Sequence, residues 1–260
     1  MDAPHWHGRR VLVTGCAGFL GGAVSRALLD GGAVVVGLVH RTPTDLHRHP
    51  HFETIRGRAE DTFRVYSALA VHRIDAVFHL AAGPVFAADR VATSVIEAVR
   101  RFGPTVPVVT AHPDDGLRLT PAGVPVPLGV ARFGEVFGPG DRRPFRTVPA
   151  ILNGKVPAPG GPRDFMFLDD AARALLALGE SLERTPHLRD ETFRSGWNLT
   201  ERQLATAVRD VTDHKTALKL VVDPPANPLD WHPSRSFADA MAETLAWYQS
   251  SPPAPIRLAA

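Results

Sequence analysis

The chain has 260 residues, of which 44% are hydrophobic and 22% are charged, and its formal net charge is +2. This composition is typical of a globular protein with one sizeable domain and a small lobe, and the scattered basic residues argue against nucleic-acid binding. No apolar run approaches the roughly 18 residues of a membrane span, and no signal-peptide pattern stands at the N-terminus, so we expect a cytoplasmic protein that does not bind membranes.

The first predicted elements form one β-α-β unit. Residues 11–14 are a short β-branched run, which indicates a buried parallel strand. Residues 15–21 form a glycine-rich turn, and residues 23–29 carry apolar side chains at helical spacing. Residues 33–39 are a second apolar strand, which leads into His40 and Arg41.

The alternation continues with strands at 52–55, 75–80, 106–110 and 126–133 and with helices at 62–71 and 91–102. Further helices are predicted at 148–152, 169–182, 200–212 and 236–249. This order predicts an α/β fold, a Rossmann-like doubly wound parallel sheet with a small C-terminal substrate lobe. We predict that residues 1–140 form the NADP-binding domain and that residues 141–260 mainly form the substrate lobe. The last strands of the NADP-binding domain can include parts of the later chain.

The glycine turn is suited to a dinucleotide. Gly15 permits the tight turn, Gly18 lets the backbone approach a pyrophosphate, and Gly21 lets the helix pack closely on the strand. The helix N-terminus then offers unpaired N–H groups and a partial positive charge to the phosphates. The position after a strand and before a helix makes this motif specific.

The end of the second strand bears on the choice of cofactor. A carboxylate there would bind the ribose 2′-hydroxyl of NAD, whereas arginine accommodates the 2′-phosphate of NADP. This chain has His40 and Arg41 and no carboxylate at that point. The sequence therefore favours NADP(H), with NAD(H) as the alternative.

Cysteine and histidine usage indicates no metal site. The single cysteine, Cys16, excludes an intramolecular disulfide and lies inside the glycine turn, where a small buried residue is expected. Histidines cluster in two flanking loops, but no acidic residue accompanies them at ligand spacing. We predict no bound metal.

Several motifs, in the same order along the chain, resemble those of the extended short-chain dehydrogenase/reductases, the NAD-dependent epimerase/dehydratase family. They are residues 14–21, 79–82, 132–140, 163–170 and 197–199. In this family such segments border the dinucleotide and the substrate. The predicted cofactor-binding residues are Gly15, Ala17, Gly18, Phe19, Leu20, His40, Arg41, Leu80, Ala81, Ala82 and Phe133.

The chain departs from the family at the catalytic residues. The family's proton donor is the tyrosine of a Tyr-x-x-x-Lys helix, but this chain has only Tyr66 and Tyr248, and neither precedes a lysine by four positions. The family's catalytic serine falls near Thr110 and His112, which we take as candidate catalytic residues. Glu135 stands where the family has an asparagine beside the nicotinamide.

These features lead to three functional hypotheses. The first is an NAD(P)H-dependent ketoreductase that reduces a carbonyl of a bulky aromatic polyketide in antibiotic biosynthesis, with a proton from a substrate phenol. It resembles the Tyr-less branch of the family represented by the angucyclinone ketoreductase of simocyclinone biosynthesis. The alternatives are a non-catalytic NADP-binding sensor or scaffold, and a nucleotide-sugar epimerase or dehydratase. The expected partner is an aromatic ketone, and the oligomeric state stays open.

Overall fold

The computed structural model describes residues 5–40, 45–81, 88–113, 126–141, 143, 146–154, 160–212 and 225–250. The chain divides into two compact units. The first comprises Met1–Arg132 and Ala172–Phe193, and the second comprises Phe133–Ala171 and Arg194–Ala260. The sequence analysis placed the division at residue 140, whereas the structure places it after Arg132 and returns Ala172–Phe193 to the first unit. None of the helices in the described ranges is long and apolar enough to cross a membrane.

The strands, in chain order, are β1 (Arg10–Thr14), β2 (Val34–Val39), β3 (Phe52–Arg56), β4 (Ala76–His79), β5 (Val108–Pro113), β6 (Leu128–Phe133), β7 (Glu135–Phe137), β8 (Arg163–Phe167), β9 (Arg189–Thr192) and β10 (Asn198–Leu199). The α-helices are α1 (Phe19–Asp30), α2 (Thr62–His72), α3 (Ala88–Phe102), α4 (Thr147–Leu152), α5 (Leu168–Arg184), α6 (Glu201–Thr212) and α7 (Phe237–Ser250).

Seven strands form a parallel sheet in the order β3-β2-β1-β4-β5-β6-β9. The α/β fold with a Rossmann-like parallel sheet is thereby confirmed. Because β1 lies between β2 and β4, the winding of the chain reverses beside β1. Ligands of open α/β sheets bind at such a switch point, beyond the carboxyl ends of the strands. Thr14 and His79 are paired in register at the ends of β1 and β4.

The strands of this sheet are rich in branched aliphatic residues because both of its faces are covered. Val11, Leu12 and Val13 in β1 are completely buried. Helices α2 and α3 pack on one face through Val65 and Val99, among others, which join the same buried cluster as Leu12. Continuous burial explains why these strands read as apolar runs and not as alternating patterns.

The last strand of the sheet, β9, is absent from the sequence predictions because its side chains are polar. An ion pair to the neighbouring strand holds it in place. Arg132 donates to both carboxylate oxygens of Asp190, with N–O distances of 2.6 and 2.9 Å, although only 1% of the Arg132 side chain is exposed. This pairing joins residues far apart in sequence, so no local pattern reveals it.

The second unit has its own small sheet, in the order β10-β8-β7. The predicted strand 126–133 is followed at once by β7, which leaves the large sheet and pairs in parallel with β8. The core of this unit is aromatic: Phe137 contacts Phe167, Trp197 and Phe237, with ring centroids 5.8, 6.2 and 6.0 Å apart.

Candidate cofactor site

The glycine turn between β1 and α1 requires glycine at two positions for packing alone. Gly15 has a φ of +74°, and a Cβ added to it would lie 2.5 Å from the carbonyl oxygen of Leu80. A Cβ on Gly21 would overlap the carbonyl oxygen of Gly15. The turn therefore lies tightly against both the end of β4 and the first turn of α1.

Gly18 differs from these two glycines because it is exposed. A Cβ there would meet only the Gly15 carbonyl oxygen, at 3.1 Å. Gly18 is also the N-cap of α1, so no side chain caps the helix, and the first turn contains no acidic residue. An uncapped helix N-terminus behind an exposed glycine is suited to an anionic group that approaches the backbone. The cradle thus fits a pyrophosphate.

Cys16 is a packing residue of this turn. Its Sγ lies against Gly37 of β2, where an added Cβ would be 2.7 Å from the sulfur. Burial raises the pKa of the Cys16 thiol to about 11. The thiol is therefore neutral and a poor nucleophile near pH 7.

A buried hydrogen-bonded group joins the ends of β1 and β4. The Thr14 hydroxyl lies 2.6 Å from Nδ1 of His79 and accepts a hydrogen bond from the backbone N–H of Ala81 at 3.3 Å. The backbone N–H of Leu80 donates to the carbonyl oxygen of Thr14. Thr14 thus orients Leu80 and Ala81, which follow His79 in the segment 79–82.

Burial, together with a smaller repulsion from His112, lowers the pKa of His79 to about 4. His79 is therefore neutral near pH 7. The Thr14–His79 contact is missing from the sequence analysis. The sequence shows a threonine and a histidine at the ends of two predicted strands. It predicts their contact only once those two strands are known to be neighbours in the sheet.

The candidate catalytic residues Thr110 and His112 lie on β5. This strand extends to Pro113, beyond the predicted end at residue 110, and Thr110 pairs in register with His79. Thr110 is buried and His112 is partly exposed. Within the described ranges, no group of His, Cys, Asp and Glu side chains could hold a metal ion.

The end of β2 has charged neighbours that the sequence analysis missed. His40 is exposed there, while Arg41 and Ala82 lie outside the described residues. Glu60 follows β3, and its pKa is lowered by a hydrogen bond from its own backbone N–H, by Arg58 and by the charge of His40. Arg58 donates to Glu60 at 3.1 Å. Both a carboxylate and a guanidinium therefore lie near His40.

In the second unit, Glu135 is buried at the start of β7. It accepts hydrogen bonds from the backbone N–H and the hydroxyl of Thr147, at 2.5 and 2.6 Å. Both of its oxygens therefore hold the first turn of α4. Phe133, another predicted cofactor residue, is buried at the end of β6, whereas Ala17, Phe19 and Leu20 lie partly exposed in the glycine turn and the first turn of α1.

Arginines surround Glu135. Burial lowers the pKa of Arg146, and among the described residues its Nε has no hydrogen-bond partner. Arg163 pairs with Glu201 and has an Nη 3.9 Å from Glu135. Arg143 donates two hydrogen bonds to Asp141. Arg146 is thus the arginine of this group whose charge has no direct carboxylate partner among the described residues.

The comparisons with known proteins support the motif analysis. Residues 11–118 match the NAD dependent epimerase/dehydratase family. The family match covers β1 through β5, which includes the glycine turn, Thr14, His79 and Thr110. Among curated proteins, the chain is similar to the 3β-hydroxysteroid dehydrogenase/Δ5→4-isomerase of Mycobacterium tuberculosis, with 44% identity over 73 residues. That match covers 28% of this chain and only 19% of the relative.

The fold is similar to solved structures along almost its whole length. The epimerase Mth375 of Methanothermobacter thermautotrophicus has a TM-score of 0.73 at 20% identity, over 94% of this chain and 93% of that one. The dTDP-glucose 4,6-dehydratase of Bacillus anthracis, solved in complex with NAD, has a TM-score of 0.73 at 17% identity, over 94% and 98%. At such identities the likeness is one of fold.

Proposed function

We propose that this chain binds a nicotinamide dinucleotide on the glycine turn and is an oxidoreductase of the epimerase/dehydratase type. The observation that carries the proposal is the exposed Gly18 at the uncapped N-terminus of α1, where no acidic side chain would repel a pyrophosphate. The family match over residues 11–118 and the NAD-bound dehydratase of the same fold support it.

In this proposal the chain's own residues hold and orient the cofactor, which supplies or accepts hydride when bound. The backbone at Gly18 faces the pyrophosphate. Thr14 fixes the Ala81 backbone, along which the adenine ribose would lie. Thr110 is a candidate donor of a hydrogen bond to a substrate carbonyl, and His112 is the candidate titratable group for proton exchange.

We propose NADP(H) as the preferred cofactor. Arg41, by its place in the sequence after β2, and Arg58, which pairs with Glu60 near His40, would attract a 2′-phosphate, whereas Glu60 would favour the free 2′-hydroxyl of NAD(H). The Arg41→Ala variant should lose its preference for NADPH over NADH, and Glu60→Gln should increase that preference. Dinucleotide titrations followed by fluorescence test both changes. An unchanged preference in Arg41→Ala would rule out this assignment.

For the substrate, one candidate is a bulky aromatic polyketide ketone of the angucyclinone type. The missing Tyr-x-x-x-Lys pair supports it, because reduction needs only hydride and a proton that a phenol beside the carbonyl can supply. The partial relative, named for a hydroxysteroid, is consistent with a polycyclic substrate. A substrate analogue with that phenol methylated should then be reduced much more slowly.

The second candidate is a nucleotide sugar that undergoes epimerisation or dehydration. It is favoured by the partly buried Arg146, which has no direct carboxylate pair among the described residues and lies near Arg163, because two such arginines would attract a diphosphate. The solved dTDP-glucose 4,6-dehydratase has the same fold. These reactions start with oxidation of a hydroxyl, so His112 would have to act as the base that the family takes from tyrosine.

One set of assays separates the possibilities. NADPH oxidation, followed by absorbance, is measured with a panel of aromatic polyketide ketones. UDP-glucose and dTDP-glucose are incubated with the chain and NAD, and products are identified by mass spectrometry and NMR. Turnover in one arm selects that substrate class. Tight dinucleotide binding without turnover in either arm indicates the sensor or scaffold alternative, and no dinucleotide binding contradicts the whole proposal.

A further inference from the structure

Helix α2 exposes large apolar side chains on its outer face. Phe63 is 78% exposed, Val71 is 75% exposed and Tyr66 is 37% exposed. Outside α2, the described residues include only Leu188 and Leu229 as exposed large apolar side chains. Isolated exposed apolar residues are common, whereas a row of them on one helix marks a contact surface.

The outer face has the spacing of a helix face that is meant to be buried. Its residues are Phe63, Tyr66, Ser67, Ala70 and Val71, which stand at i, i+3, i+4, i+7 and i+8. The inner face is a separate row that includes Val65 and Leu69, and it is already buried. A helix that is apolar on both sides is expected to be covered on both sides.

The polar groups near this row turn away from it. The Ser67 hydroxyl donates to the carbonyl oxygen of Phe63 at 2.8 Å, within the helix. The stem of Arg64 lies against Gly57, with its Cγ 2.6 Å from the position of a Cβ on that glycine. The row therefore contains no charge, its Ser67 hydroxyl is satisfied within the helix, and the Tyr66 phenol is its one remaining polar side-chain group.

The two ends of α2 carry opposite charges. Asp61 is the N-cap, and one of its oxygens accepts from the backbone N–H of Arg64 at 2.9 Å. Arg73 is the exposed C-cap, and no ion pair engages its guanidinium within the described part of the chain. An 11-residue helix is about 16 Å long, so these charges stand at opposite ends of the apolar row.

We propose that α2 pairs antiparallel with α2 of a second copy of this chain. A two-fold axis beside Ser67 brings Phe63 of one copy over Ala70 and Val71 of the other, where the small alanine leaves room for the ring. The same axis brings Asp61 opposite Arg73 of the other copy, twice. An isologous contact must be self-complementary in this way, in both shape and charge.

In the proposed dimer the contact between the copies would also include the end of α3. Within one chain, the Tyr66 ring packs edge-on against Phe102 at that end, with ring centroids 6.5 Å apart. A single pair of short helices is still at the low end of specific interface sizes. The dimer should therefore dissociate at concentrations of about 1–100 µM.

Sedimentation velocity of the full chain at rising concentration tests the proposal. A reversible monomer–dimer equilibrium is expected, and Phe63→Ser and Val71→Ser should each raise the dissociation constant by roughly tenfold or more. Leu188→Ser, which removes an exposed apolar side chain elsewhere, is the control and should change nothing. Circular dichroism and dinucleotide titration verify that each variant is folded.

A charge exchange makes the orientation testable. Asp61→Lys and Arg73→Glu should each weaken self-association, whereas an equimolar mixture of the two variants should associate more strongly than either alone, because both ion pairs are restored between unlike chains. If Asp61→Lys does not fold because α2 loses its N-cap, the Phe63→Ser and Val71→Ser variants still test whether the dimer forms through α2. A chain that stays monomeric at every concentration, or a dimer unaffected by Phe63→Ser, would overturn the proposal.

Discussion

Under the proposed function, the two units of this protein would attract anionic groups in different ways. In the first unit, the glycine turn presents backbone at the start of α1, and the buried polar pair behind it, Thr14 and His79, is neutral. In the second unit the groups are charged side chains instead, among them the buried Glu135 and the partly buried Arg146. Attraction in the first unit therefore depends on backbone geometry, whereas in the second it depends on side-chain charge.

The largest effect is expected from a change in backbone geometry. In Gly21→Ala the new Cβ would overlap the Gly15 carbonyl oxygen, so the turn must shift. We expect a loss of about 3 kcal/mol in the free energy of unfolding and of more than roughly tenfold in dinucleotide affinity. Urea denaturation and fluorescence titration measure these two quantities.

The neighbouring Gly22→Ala is the matched control for this prediction. Its Cβ would lie 3.4 Å from the Cys16 carbonyl oxygen, close to an ordinary contact. Within a helix, alanine in place of glycine stabilises by about 0.5–1 kcal/mol. Equal affinity of the Gly21→Ala variant and the unmodified chain would show that the turn is not the binding site.

Because the buried Thr14–His79 pair behind the turn contains a neutral histidine, we expect the folded chain to lose stability in acid. The pKa of His79 is about 4 in the folded chain and 6.5 in the unfolded chain, so the unfolded chain takes up the proton first as the pH falls. The stability present above pH 6.5 is therefore lost progressively down to pH 4, by about 3 kcal/mol in total. Urea denaturation between pH 7.5 and about pH 4.5 follows this loss.

The His79→Gln variant should lose most of this pH dependence, because glutamine bonds Thr14 without titrating. His51→Gln, at an exposed histidine, should keep it. The same slope in His79→Gln and in the unmodified chain would mean that other groups cause the acid sensitivity.

In the second unit, the partly buried carboxylate of Asp164 should matter to stability alone. Asp164 accepts from the backbone N–H groups of Ser195 and Gly196 and from the Ser195 hydroxyl, at 3.0, 3.0 and 3.1 Å. Asp164→Asn replaces one acceptor oxygen with a donor and should cost about 2 kcal/mol. Asp239→Asn, at an exposed carboxylate, should cost under about 0.5 kcal/mol. A drop in dinucleotide affinity of folded Asp164→Asn would contradict the separation of the two units.

The smallest change in stability is expected at Arg146. Its guanidinium is partly buried and its Nε bonds no residue in the described ranges, so Arg146→Met should change the free energy of unfolding by less than about 1 kcal/mol. If a diphosphate binds there, UDP affinity by calorimetry should fall while dinucleotide affinity stays constant. Arg143→Met, which removes the pair with Asp141, provides the comparison. Unchanged UDP affinity would remove this support for a nucleotide-sugar substrate.

The sequence by itself determined the β1–turn–α1–β2 unit, most helices and the parallel sheet. The reason is that burial on both sheet faces, helical spacing and glycine turns leave local patterns that can be read directly. The same applies to Gly15, which has a positive φ, and to Gly21, which packs on Gly15, because both requirements arise from backbone sterics within a few residues.

Only the tertiary structure decided which distant residues meet. It paired Thr14 with His79, brought Glu60 near His40, added the polar strand β9 through Arg132 and left the outer face of α2 uncovered. Each of these depends on strand order or on packing between elements far apart in the chain. A local pattern records how much of a residue is buried, but not which partner buries it.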